Sequence, residues 1–114
     1  MKLEIHNMQS LFVYGTLRLG EPNAHVMERI GGTWFKGYIL GNLENSGWGA
    51  ALGSPGIRLK DDGNPVQGYV FISEHLEDHW EYLDEFEGVE YHRQAVTVYL
   101  EDGKVMQSQV YALI

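Results

Sequence analysis

Fourteen glycines are spread through 114 residues, and they fall between short apolar or aromatic runs rather than in one flexible block. Helix interiors tolerate glycine poorly, whereas breaks of this kind suit turns, bulges and strand ends. The spacing predicts many short strands around a modest single core, which is what a chain of this length can bury. One domain over residues 1–114 is expected.

Local patterns place the elements. Leu11-Phe12-Val13-Tyr14, ended by Gly15, reads as a buried strand entering a loop. Pro22 suits a first helical turn, and Ala24, Val26, Met27 and Ile30 indicate a short helix closed by Gly31-Gly32. The stretches Thr33–Leu43 and Trp48–Leu59 mix β-branched and aromatic residues with glycines, as short, strongly bent strands do. Asp61 to Pro65 reads as a turn and Val66–Ile72 as a strand. Ser73 stands where a helix N-cap belongs, Glu74, Glu77 and Asp78 load the first turns with negative charge, and Gly88 ends the helix. Tyr91–Leu100 and Val105–Leu113 form a closing hairpin around Glu101-Asp102-Gly103-Lys104.

Charge narrows the ligand class. Eight Lys and Arg against 16 Asp and Glu give a net charge of -8, which repels nucleic acid and anionic membranes and favours a small-molecule ligand. Without cysteine there is no disulfide, thiolate metal ligand or cysteine nucleophile. The amino terminus lacks the apolar run of a signal peptide and no segment is long enough to span a bilayer, so a cytoplasmic location is expected. Leu3 and Ile5 alternate, as an added edge strand or a homodimer contact would require.

The helix before Gly88 carries seven acids. At about 100° per residue, Leu76, Trp80 and Leu83 define one apolar stripe, and Glu87 lands inside it. Glu74, Asp78, Glu81 and Glu85 cluster opposite, with Glu77 and Asp84 on the flanks. A carboxylate in the stripe is desolvated and lies at the negative end of its helix dipole; both raise its pKa toward the range useful for moving protons near neutrality. Two structural alternatives stand beside this: a frayed helix end with Glu87 in water, or a buried ion pair with Arg93.

His75 and His79 have the i, i+4 spacing of many zinc sites, yet the His-Glu-x-x-His pattern and a third ligand are lacking. An exposed pair flanking the stripe is the better reading. No nucleophile elbow surrounds any serine, and no phosphate-binding glycine motif occurs, so no cofactor is expected. Tyr14-Gly15-Thr16-Leu17 could present backbone N–H groups to a ligand carboxylate or be an ordinary turn. Tyr91 and Arg93 alternate onto one strand face, offering a hydroxyl and a guanidinium to one cavity or forming an exposed pair.

In order along the chain, Tyr14-Gly15-Thr16-Leu17, a glycine-rich middle, Leu83-Asp84-Glu85-Phe86-Glu87-Gly88 and Tyr91-His92-Arg93 resemble the γ-glutamylcyclotransferase-like family, nearest its small AIG2-like bacterial and plant branch. The resemblance implies an α+β fold, a small mixed β-barrel with helices packed outside. It implies that Glu87 is the catalytic acid/base and that the Tyr14–Leu17 loop holds the γ-glutamyl group through its backbone, with Tyr91 and Arg93 as further substrate contacts. The implied activity is metal-independent release of 5-oxoproline and a free amine or amino acid from a γ-glutamyl substrate. The alternative is a non-catalytic small-molecule binding module on the same barrel. The chain is shorter than longer relatives between Gly88 and Tyr91, and loops between Gly41 and Pro55 are expected to shape the pocket mouth.

Overall fold

The computed structural model describes residues 9–14, 24–44, 56–88 and 91–113. Their elements are β1 (Gln9–Val13), α1 (Ala24–Ile30), β2 (Thr33–Glu44), β3 (Gly56–Leu59), β4 (Asn64–Ser73), a 3-10 turn (Leu76–Asp78), α2 (Trp80–Glu87), β5 (Tyr91–Leu100) and β6 (Val105–Leu113).

Strand order in the sheet is β3-β2-β4-β1-β6-β5. Neighbours pair antiparallel except β1 and β6, which run parallel through Phe12 opposite Val110. The sheet closes where β5 returns to β2, pairing Gly37 with Leu100 and Tyr38 with Tyr99. Five strands thus form a closed mixed barrel, and β3 extends β2 outside the ring. This is the α+β barrel with helices that the family resemblance implies.

Alternation along the strands sorts the apolar residues onto two sides. Phe12, Ile39, Val70, Val98 and Val110 pack in a cluster supplied by strands alone. Leu11, Val13, Phe71 and Tyr111 form a second cluster with Val26, Met27 and Ile30 of α1 and Leu83 of α2. The helices therefore cover one side of the sheet, and the end of α2 is brought beside β1 and β6.

Several expectations change. The glycines do not mark many short strands: β2, β4, β5 and β6 have 12, 10, 10 and 9 residues. Thr33–Leu43 is strand, as expected, but long rather than short: it is most of one continuous strand, because β4 pairs with it from Thr33 to Gly41. Of Trp48–Leu59, only Gly56–Leu59 is a described strand, and residues 48–55 lie outside the described residues. Gly41 to Glu44 belong to β2 rather than to a pocket loop. Asn64 and Pro65 already belong to β4. Pro22, Leu3 and Ile5 fall outside the described residues.

Ser73 is the last residue of β4, not the N-cap of a long helix. Its buried hydroxyl donates to the Gly31 carbonyl at 2.5 Å and accepts from the His75 N–H at 3.0 Å. The helix expected from there is broken into the 3-10 turn and α2. At the break the His75 carbonyl accepts the Asp78 backbone N–H at 3.2 Å, as a 3-10 turn requires, and also the His79 Nδ1–H at 2.8 Å. In a continuous α-helix that carbonyl would take the His79 backbone N–H, which instead bonds Leu76. α2 then starts afresh, with the Leu83 N–H on the His79 carbonyl.

Candidate active site

α2 is short, and Leu83 is its one fully buried side chain. Trp80 and Phe86 pack half-buried against the same cluster. Glu87 is the last helical residue and is half-buried, whereas Glu81, Asp84 and Glu85 are exposed, as are Glu74, Glu77 and Asp78 before them. The stripe that singled out Glu87 thus holds within α2, although Leu76 reaches the core from the 3-10 turn. Burial pushes the Glu87 carboxyl up to about 7. Gly88 closes the helix at φ 90°, its N–H bonded to the Asp84 carbonyl at 3.1 Å.

Two tyrosine hydroxyls lie near Glu87. Tyr14, just after β1, donates to the Tyr111 carbonyl at 2.8 Å and accepts from the Ile57 N–H at 3.0 Å. Its hydroxyl therefore ties β1, β3 and β6 together. Tyr111 in β6 donates its own hydroxyl to Asp84 Oδ1 at 2.6 Å. Both phenols are pushed well above the usual range, chiefly by burial, and the Glu87 carboxylate adds to the rise in each. Gly15, Thr16 and Leu17, the remainder of the expected substrate loop, lie outside the described residues.

On β5, Tyr91 and Arg93 share a half-buried face, as their alternation predicts, and both line an open cleft of about 710 Å³ with Asp84, Glu85, Gly88, His92 and Tyr111. Glu87 is not among its described lining residues. The Arg93 guanidinium sits 4.3 Å from the centre of the Trp80 ring. Its Nη2 is 3.8 Å from Asp84 Oδ2, so its ion-pair partner is Asp84 and not Glu87. Nη1 of Arg93 is buried and has no hydrogen-bond partner among the described residues.

Asp84 and Tyr111 are the residues that sequence reasoning missed. Asp84 was legible only as a flank acid of the helix, and Tyr111 only as one apolar position of a strand. Among the described residues no group of three His, Asp or Glu is placed to hold a metal ion. His75 is exposed and His79 is committed to the His75 carbonyl. Among the described residues no helix is long and apolar enough to cross a membrane.

Comparison with known proteins assigns this arrangement to a family. Residues 11–113 match the family described as gamma-glutamyl cyclotransferase, AIG2-like. The chain is similar to the crystal structure of an AIG2-like protein from Mus musculus, with TM-score 0.69 and 29 % identity, covering 92 % of this chain and 76 % of that one. It is similar to YkqA from Bacillus subtilis with the same TM-score and identity, covering 93 % of this chain but 36 % of YkqA. A solution structure from Arabidopsis thaliana matches with TM-score 0.67 and 27 % identity, covering 95 % of this chain and 70 % of that one. No curated protein matches significantly by sequence. The match over nearly the whole chain and the closed mixed barrel agree: the chain belongs to the AIG2-like γ-glutamyl cyclotransferase family.

Proposed function

We propose that the protein is a cyclotransferase that releases 5-oxoproline and a free amine or amino acid from a γ-glutamyl substrate, with Glu87 as the acid/base. The observation that carries this reading is a half-buried glutamate at the end of α2 whose carboxyl is held at about 7 by burial. A group with that pKa takes and returns a proton near neutrality with little driving force lost in either direction.

The substrate brings both reacting partners. Its α-nitrogen and γ-carbonyl carbon are spaced to close a five-membered lactam, so attack is intramolecular and needs no protein nucleophile. Glu87 as carboxylate takes a proton from the α-ammonium, freeing the lone pair. The α-nitrogen then bonds to the γ-carbon, and the carbonyl oxygen becomes an oxyanion. Collapse breaks the bond to the leaving nitrogen, which takes the proton held by Glu87. The regenerated carboxylate removes the second proton of the ring nitrogen and passes it to the departing amine, leaving a neutral lactam and an ammonium product. Backbone N–H groups of the Tyr14–Leu17 loop fit the cradle for the α-carboxylate and oxyanion, and Tyr91 and Arg93, on the cleft beside Gly88, fit contacts to the rest of the substrate. A small-molecule partner, a cytoplasmic setting and a reaction that calls for no metal complete the reading.

The test is 5-oxoproline release from a panel of γ-glutamyl amines and γ-glutamyl amino acids. Glu87→Gln keeps the shape but cannot move the proton, and turnover should fall by about 10²–10⁴-fold, the usual worth of a general acid/base. Wild-type kcat/KM should rise with pH through about 7, because only the carboxylate accepts a proton. Full activity in Glu87→Gln would overturn the mechanism. Ligand binding without turnover by the wild type would instead identify a binding module.

A further inference from the structure

We infer that Tyr111, acting with Asp84, is a positioning residue that fixes Glu87 against the Tyr14 end of β1. The inference rests on the reading of Glu87 as the acid/base and deepens it. α2 has eight residues and buries a single side chain completely, so apolar packing alone resists sliding along its axis or rotation about it only weakly. Catalytic proton transfer is sensitive to displacements of that kind at the ångström scale.

Tyr111 supplies what the packing lacks. It is 5 % exposed and holds two things at once. Its hydroxyl reaches Asp84 Oδ1 at 2.6 Å, three residues before Glu87 on the same helix. Its backbone carbonyl takes the Tyr14 hydroxyl at 2.8 Å, and Tyr14 in turn takes the Ile57 N–H at 3.0 Å. Two hydrogen bonds therefore link β3 to the end of β1 and to the β6 backbone at Tyr111, and the Tyr111 side chain carries the link on into α2. A phenol–carboxylate bond is charge-assisted and directional, which sets distance and rotation together. Arg93 braces the far side, over Trp80 and 3.8 Å from Asp84 Oδ2. Among the described residues, the groups facing the Glu87 end of α2 are then Tyr14 just after β1, Tyr91 and Arg93 from β5, Tyr111 from β6 and Asp84 from the helix itself.

The test compares Tyr111→Phe, Asp84→Ala and Asp84→Asn with the wild type in two measurements. The first is 5-oxoproline release: Tyr111→Phe and Asp84→Ala should each lower kcat by roughly tenfold with little change in KM. Asp84→Asn, which keeps an oxygen for the Tyr111 hydroxyl, should fall less than Asp84→Ala. The double variant Tyr111→Phe with Asp84→Ala should be no worse than Asp84→Ala alone, because that change already removes the bond that Tyr111→Phe cuts.

The second measurement is direct titration of the Glu87 carboxyl by carbon-13 NMR, with the fold followed by circular dichroism. Its midpoint should drop in Tyr111→Phe and Asp84→Ala as the helix end loosens and admits water, and should stay close to wild type in Asp84→Asn. Wild-type kcat and an unmoved midpoint in folded Tyr111→Phe would overturn the proposal. If the wild type releases no 5-oxoproline, the cyclotransferase reading fails, and the Glu87 midpoints alone then decide whether Tyr111 holds the helix.

Discussion

Burial separates Glu87 from the other acids of its segment, and that difference has a thermodynamic consequence apart from catalysis. A carboxyl at about 7 in the folded chain, against 4.5 for the free side chain, binds its proton more tightly when folded. Its protonated form therefore favours folding, the advantage is full below about 4.5, and it is lost as pH rises through 7. Above 7 the ionised, half-buried group costs about 3 kcal/mol, at 1.36 kcal/mol for each pKa unit. Glu87→Gln should accordingly be more stable than the wild type at pH 8, by up to that amount, with the difference vanishing toward pH 4. Thermal melts at the two pH values check this. A variant that loses turnover while gaining stability is what a functional carboxylate in an apolar stripe should give. Glu87 was legible in the sequence because its placement depends on spacing within two helical turns. The Tyr111–Asp84 bond joins residues 27 apart on different elements, and no local pattern announces such a meeting.

Element ends were less legible than elements. The β5–β6 hairpin, α1 and the Gly88 stop follow from turn residues and apolar spacing, which act over a few residues. The break before α2 does not, because there the His75 carbonyl takes the Asp78 N–H of a 3-10 turn together with the His79 ring, a local choice that apolar spacing does not encode. Gly88 also does more than stop a helix. At φ 90° and ψ 179° it occupies backbone space essentially reserved for glycine, and it follows Glu87 directly. Gly103, at φ 92° in the β5–β6 turn, has a similar φ far from Glu87. Ala at either position should cost about 1–3 kcal/mol by denaturant melts. Gly88→Ala should in addition lower 5-oxoproline release at temperatures where it is still folded, because relief of the strain moves the carboxylate. Gly103→Ala should lose stability with turnover unchanged. Equal activity losses in the two variants would mean that the helix stop has no special hold on Glu87.

At the scale of the whole molecule, closure of the barrel was implied by the family resemblance and not by any run of residues, since it joins strands remote in sequence. The parallel contact of β1 with β6 links Phe12 to Val110. The seam between β2 and β5 has two registered pairs, whereas β2 and β4 share nine. The β1–β6 junction has a single registered pair but is also tied by the Ser10–Ser108 hydroxyl pair and by the Tyr14 hydroxyl on the Tyr111 carbonyl. The β2–β5 seam is therefore where the barrel should open readily, because few backbone hydrogen bonds must break there. It is covered by Tyr38 stacked on Tyr99, ring centres 5.1 Å apart and planes 20° from parallel, and continued by the Glu101 N–H on the Lys36 carbonyl at 3.0 Å. Tyr38→Ala removes the cover and should cost at least about 1 kcal/mol, the worth of a stacked pair plus some lost burial. Hydrogen exchange locates the effect: the Glu101 amide should exchange many-fold faster in the variant, while amides in the β1–β4 ladder change only by the loss in global stability. Tyr14, Tyr111, Asp84 and Glu87 are joined through β1, β6 and α2, away from this seam. Turnover should therefore survive in Tyr38→Ala wherever the protein stays folded. If Glu101 and the β1–β4 amides accelerate equally, the seam opens only with the whole barrel, and closure is as cooperative as the core.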